Sequence, residues 1–212
     1  MPIVVVGGHT RNIGKTALVE DIIRAFPKAV WTAIKITQFG HGECAAGAGC
    51  DCAPRDHAFA LDRETVRDSG TDSSRFLAAG AARSFWLRTK QGQLALGMPA
   101  LRGVLADGGF SILESNSVLR FVRPALYLVV LDPTRQDFKP SARVNLNRAD
   151  AFVRRSTAPD GWTEIPRTLL QSRPAYVQPL GTDLPAEMVE WLRGRLFGNC
   201  PLTAPTPEGK TP

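Results

Sequence analysis

The sequence predicts an α/β fold of three layers, with helices on both faces of a mostly parallel sheet. Three observations carry this. Short apolar runs rich in β-branched residues alternate with segments of helical spacing. The first run, Ile3–Val6, stops at Gly7-Gly8, and a helical pattern follows after one loop. Later runs end in charged residues, at the strand ends where an open parallel sheet forms its ligand crevice.

The first loop reads His9-Thr10-Arg11-Asn12-Ile13-Gly14-Lys15-Thr16. Strand, glycine-bounded loop and Gly-Lys-Thr at a helix start are the context of a P-loop. Glycines let backbone N–H groups crowd a polyphosphate, and the helix beginning near Gly14 aims its positive end at the anion. Lys15 sets a point charge on the outer phosphates, and Thr16 offers a hydroxyl to Mg²⁺. Gly8 through Thr16 are therefore the expected ATP- or GTP-binding residues. The pattern G-x-x-x-x-G-K-[ST] would place a glycine at His9, but here Gly8 precedes Gly14 with five residues between. This longer loop resembles that of dethiobiotin synthetase and the cobyrinic acid synthases. The resemblance implies a P-loop NTPase fold with a mostly parallel sheet.

The chain has 212 residues, enough for one domain over 1–199 with a tail at 200–212 rich in Pro and Thr. Hydrophobic content is 43% and charged content 22%, the balance of a soluble globular protein. No run reaches transmembrane length and no secretory leader is evident, so the expectation is a cytoplasmic protein without a membrane partner. The net charge of +6 suits anionic ligands. Its Lys and Arg are scattered singly, which disfavours nucleic acid.

Leu18, Val19, Ile22, Ile23 and Phe26 share one face of the first helix, and Pro27 stops it. Ala29–Ile36 reads as the second strand, with Lys35 near its end. Lys35 either faces phosphates or substrate, or snorkels off the sheet rim. Residues 38–71 show little periodicity beyond a brief strand at His57–Leu61. They hold His41, Cys44, Cys50 and Cys52, four ligands suited to tetrahedral Zn²⁺. An Fe–S cluster completed by His41, His57 or Cys200 fits the same thiolates, and free thiols or one disulfide remain as alternatives.

Thr71 or Asp72 caps the next helix, with Phe76 and Leu77 inward. Ser84–Arg88 reads as a strand, and Leu94–Leu105 as a helix kinked at Pro99 and ended by Gly108-Gly109. A short strand from Phe110 ends in Glu114, the place of a Walker-B-type carboxylate, followed by Asn116 and Ser117, which are expected to add polar contacts to substrate. Ala125–Leu131 is the clearest core strand; it ends in Asp132, either a rival acid or the start of an Asp-Pro turn. Lys139–Ala149 reads as a helix with Val144 and Leu146 inward, and a strand follows from Ala149 to Val153. Arg154, Arg155 and Ser156 then stand as nucleotide-contact candidates, Pro174–Pro179 forms a last short strand, and a helix starts at Asp183-Leu184-Pro185.

The run Thr71-Asp72-Ser73-Ser74-Arg75-Phe76-Leu77-Ala78-Ala79-Gly80-Ala81 resembles the G-K-D-S-[YW]-R-H-x-x-A-G-A motif of the molybdopterin-guanine dinucleotide biosynthesis protein B (MobB) family. Asp72, Ser73, Arg75, Ala79, Gly80 and Ala81 match, whereas Thr71 and Phe76 replace Lys and His. MobB and dethiobiotin synthetase relatives end the strand that carries their acid in V-E-G; here the run is Leu113-Glu114-Ser115. Lys35-Ile36-Thr37-Gln38 likewise resembles the K-P-V-Q run of dethiobiotin synthetases. The resemblance implies Thr16 and Glu114 at Mg²⁺, Asp72 orienting a water or substrate group, and Arg75 and Lys35 neutralising charge beside Lys15. It implies an NTP-dependent enzyme or accessory protein of cofactor metabolism, with a small-molecule or protein partner and a homodimer plausible. The other expectation is a nucleotide-switched metal-delivery protein built on the Cys/His segment.

Overall fold

The computed structural model describes residues 2–40 and 58–198. Within them one sheet contains β1 (Ile3–Gly8), β2 (Thr32–Phe39), β3 (Phe59–Glu64), β4 (Arg83–Lys90), β5 (Ser111–Glu114), β6 (Leu126–Leu131), β7 (Ala151–Arg154) and β8 (Ala175–Val177). The order across the sheet is β3-β4-β2-β5-β1-β6-β7-β8. All neighbours are parallel except β3 with β4 at one edge. The helices are α1 (Lys15–Ala25), α2 (Asp72–Ala78), α3 (Leu94–Ala106), α4 (Pro140–Arg143), α5 (Arg167–Gln171) and α6 (Ala186–Phe197).

The period-2 alternation of strand side chains divides the core into two layers. Val4, Val6, Ile112, Leu128, Val130 and Val153 face one side, against α1, α2 and α6. Val5, Leu113, Val129, Leu131 and Phe152 face the other, against α3 and α5. The expected three-layer α/β architecture is thus the observed one. None of the described helices is long and apolar enough to cross a membrane.

Several expected boundaries shift for local reasons. The second strand begins at Thr32 rather than Ala29, because Pro27–Ala29 form a 3-10 turn and Val30 is left-handed at φ 50°. The helix expected over Lys139–Ala149 breaks after one turn, and Val144 is 76% exposed rather than inward. There the Asn145 side chain donates to Ser141 O at 2.9 Å, and the Asn145 N–H turns to Ala142 O. The side chain thereby takes the carbonyl that the next helical bond would use. The brief strand expected at His57–Leu61 is the antiparallel β3, extending to Glu64, so the aperiodic segment is shorter than 38–71. Pro99 lies inside α3 without ending it.

Candidate active site

Sheet register brings the first two site residues together. Lys35 on β2 and Glu114 on β5 are register partners, and Val6 of β1 pairs with Glu114 from the other side. Lys35 and Glu114 therefore project from the same face, the one covered by α1 and α2. The Lys35 ammonium lies 2.5 Å from Glu114 Oε1 and 2.7 Å from Asp72 Oδ2. Thr16, in the first turn of α1, donates to Glu114 Oε2 at 2.8 Å. Glu114 is 3% exposed, Lys35 15% and Asp72 37%, so the cluster opens to solvent on the Asp72 side.

Charge states follow from this packing. Burial opposes the Lys35 charge, but Glu114 and then Asp72 outweigh it and raise the ammonium above its usual range. Burial also pushes the Asp72 carboxyl up; Lys35, by charge and hydrogen bond, and then Arg75 more than reverse this and hold it low. Lys15 is lowered by burial, which Glu114 only partly offsets. Its Nζ folds back to Thr10 O at 2.9 Å.

The loop before α1 lines a cleft of about 950 Å³ with Thr10 through Thr16, and Lys35, Asp72, Arg75 and Glu114 form the facing wall. Gly14 is left-handed at φ 84°, and α1 has no side-chain cap there, which leaves first-turn N–H groups facing the cleft. A Cβ at Gly7 would fall 2.1 Å from Asn116 Oδ1, so glycine is required beneath the loop. A strand ending in this loop, a Gly-Lys-Thr helix start and an acid on the adjacent parallel strand decide the fold. It is the P-loop NTPase fold.

Not every residue expected at the nucleotide faces the cleft. The Gly8 N–H is held by Asn116 Oδ1 at 3.0 Å, and the Asn116 amide returns a bond to Gly8 O at 2.8 Å. Asn116 therefore braces the P-loop, and with Ser117 it also lines the cleft. His9 is buried, packed on Trp162 and Phe138 with ring centroids 4.8 and 5.2 Å away, and its N–H bonds Val130 O. Position 9 thus anchors the loop to β6. Arg155 is also buried. It donates to Ile13 O at 3.1 Å and Gly14 O at 2.6 Å, and to Gln178 through both the backbone and side-chain oxygens. It holds the carbonyls on the P-loop's outer side, while Arg154 pairs with Asp160. Asp132 accepts from the backbone and hydroxyl of Thr134 in a local turn, the Asp-Pro turn of its two readings. Ser115, in the place of the expected glycine, accepts from Val118 N to start a 3-10 turn.

Arg75 reaches the cleft but is tethered. Its Nε lies 2.5 Å from Glu20 Oε1, and its Nη1 is 3.6 Å from Asp72. Glu20 was not singled out from sequence. A carboxylate between Val19 and Ile22 on an apolar helix face was the available signal. Gln178 and Glu64 gave no sequence signal.

Among the described residues, no group of three or more His, Cys, Asp or Glu side chains is arranged to hold a metal. A hydroxyl and two carboxylates do converge at Thr16, Glu114 and Asp72, around a lysine ammonium already seated between the carboxylates. The oxygen donors are of the type Mg²⁺ takes, and Thr16 and Glu114 are the pair that would hold it. His41, Cys44, Cys50, Cys52, His57 and Cys200 lie outside the described residues.

No protein-family model and no curated protein matches the chain. Among solved structures it is similar to the "apo" form of LpxK from Aquifex aeolicus in complex with ATP. The TM-score is 0.47 and the identity 14%, over 84% of this chain and 53% of that one, so this chain spans about half its length.

The buried His9 ring generates a pH dependence. Burial lowers its proton affinity, with smaller opposing contributions from the Val130 and Arg135 backbones. A folded value below the unfolded one makes its contribution complete above pH 6.5 and progressively lost as pH falls toward the folded value. Urea midpoints should therefore fall between pH 7.5 and 5, and His9→Asn should flatten that slope. An unchanged slope in the variant contradicts the assignment.

Proposed function

We propose that the chain is a Mg²⁺-dependent ATP- or GTP-binding P-loop protein that hydrolyses the nucleotide or transfers its terminal phosphoryl group. The observation that carries this is the convergence of Thr16, Lys35, Asp72 and Glu114, from α1, β2, α2 and β5, at the mouth of the P-loop. These elements are far apart in sequence, and the fold brings their four polar groups together beside the Gly-Lys-Thr loop.

Backbone N–H groups from Thr10 to Thr16 would surround the phosphates, and Lys15 would leave Thr10 O to meet the outer ones. Thr16 and Glu114 would hold Mg²⁺, which when bound supplies positive charge beside the phosphates. Asp72, kept ionised by Lys35, accepts a proton or a hydrogen bond from an attacking water or acceptor hydroxyl. Lys35 and Arg75 balance charge along the wall. Positioning and electrostatics supply most of the rate in such chemistry.

The resemblance to MobB supports a role in cofactor metabolism with a small-molecule or protein acceptor. A metal-delivery role is the second reading, and it rests on the ligand set His41, Cys44, Cys50 and Cys52. Serine at the three cysteines should remove bound metal and spare nucleotide binding if delivery is the role; it should lower stability if the metal is structural.

Steady-state release of phosphate from ATP and GTP, with Mg²⁺ and with EDTA, tests the first reading. Turnover should require Mg²⁺, and Lys15→Ala or Glu114→Gln should lower kcat by roughly 100-fold or more. Turnover unchanged in both variants overturns it.

A further inference from the structure

Asp72 is the first residue of a short helix on the open side of the cluster, so something must fix where its carboxylate lies. Its immediate neighbours are gripped from the sheet edge. Glu64, the last residue of β3, accepts from the Thr71 hydroxyl at 2.9 Å and the Ser73 hydroxyl at 3.0 Å, both through Oε2. Ser69 adds a third hydroxyl at 3.2 Å. The other oxygen, Oε1, accepts from the backbone N–H groups of Thr65 and Val66, each at 3.0 Å. Thr71 also caps α2, its hydroxyl oxygen accepting from Ser74 N at 3.1 Å.

We propose that Glu64 is a positioning residue: by holding the side chains on both sides of Asp72, it fixes the distance at which the Asp72 carboxylate meets Lys35. The assignment rests on the reading of Asp72 as the group that orients the nucleophile. Glu64 does not line the cleft, so it acts only through Thr71 and Ser73. Three hydroxyls on one carboxylate oxygen exceed what capping one helix requires; the Thr71 cap alone satisfies Ser74 N. Glu64 also ties the antiparallel edge strand to the start of α2. The Glu64 carboxyl is held low, first by the Val66 N–H and then, against burial, by Thr71 and Ser73, so the grip stays ionised at neutral pH.

The test is single-turnover and steady-state phosphate release from Mg·ATP and Mg·GTP by the full chain for Glu64→Ala, Glu64→Gln, Ser73→Ala and Asp72→Asn. Glu64→Ala should lower kcat roughly 10-fold to 100-fold, the scale of an ångström of misplacement, and leave KM within about twofold. The single-turnover rate constant should fall with kcat; a loss of folded protein alone would lower the amplitude and leave that rate constant in place. Glu64→Gln, which keeps one acceptor oxygen, should recover part of kcat. Combined with Asp72→Asn, Glu64→Ala should add nothing further. A wild-type single-turnover rate constant in Glu64→Ala, beside an inactive Asp72→Asn, overturns the positioning role and leaves the function standing. Wild-type kcat in Asp72→Asn, or no turnover by the unaltered chain, overturns the functional reading and the positioning role with it. If Glu64→Ala does not fold, Ser73→Ala carries the same expectation, and a wild-type single-turnover rate constant there overturns the proposal.

Discussion

Lys35 Nζ lies 2.5 Å from Glu114 and 2.7 Å from Asp72, and the cleft is built around that ammonium. The ammonium sits between the two carboxyl groups and, by charge and hydrogen bond, holds the Asp72 carboxyl low. Thr16 donates to the other oxygen of Glu114, so the same carboxyl group also fixes the start of α1. Removing one member of such a buried set leaves the others uncompensated, which costs more than the set gains as a whole. The cluster therefore constrains where β2, β5, α1 and α2 can sit.

Around the cluster, the P-loop is held from outside. Asn116 exchanges two hydrogen bonds with the Gly8 backbone, Arg155 binds the carbonyls of Ile13 and Gly14, and His9 is buried against Trp162 and Phe138. These contacts hold the loop by Gly8, His9, Ile13 and Gly14, while Thr10 through Thr16 line the cleft. Preorganisation of this kind is what makes oriented dipoles effective at a developing charge. Arg75 is similarly held by Glu20, so the wall opposite the loop is also set before a ligand arrives.

The parts legible in the sequence were those with local causes. Val4–Val6 and Leu126–Leu131 announce strands by composition, Gly14-Lys15-Thr16 announces the loop, and Thr71 announces a cap. Lys35 and Glu114 were legible because each sits late in an apolar strand. Their pairing was not, since it depends on β5 inserting between β1 and β2. The same holds for Asn116, Arg155 and Glu64: their partners are 108, 142 and 9 residues away, and no periodicity encodes such contacts. Arg155 and Asn116 looked like ligand residues because polar groups near a cleft have two uses, binding and bracing, that residue type alone does not separate. The failed helix at Lys139–Ala149 turned on one Asn145 side chain competing with its own backbone.

The central claim is that the Lys35-bridged cluster and the P-loop form one site for a Mg²⁺–nucleotide complex. Calorimetric titration of the full chain with ATP and with GTP, each with Mg²⁺ and with EDTA, tests it most directly. The account predicts one nucleotide per chain for at least one of the two, bound more tightly with Mg²⁺, and loss of that Mg²⁺ enhancement in Glu114→Gln. No binding of either nucleotide in Mg²⁺, or equal affinity in Mg²⁺ and EDTA, contradicts it.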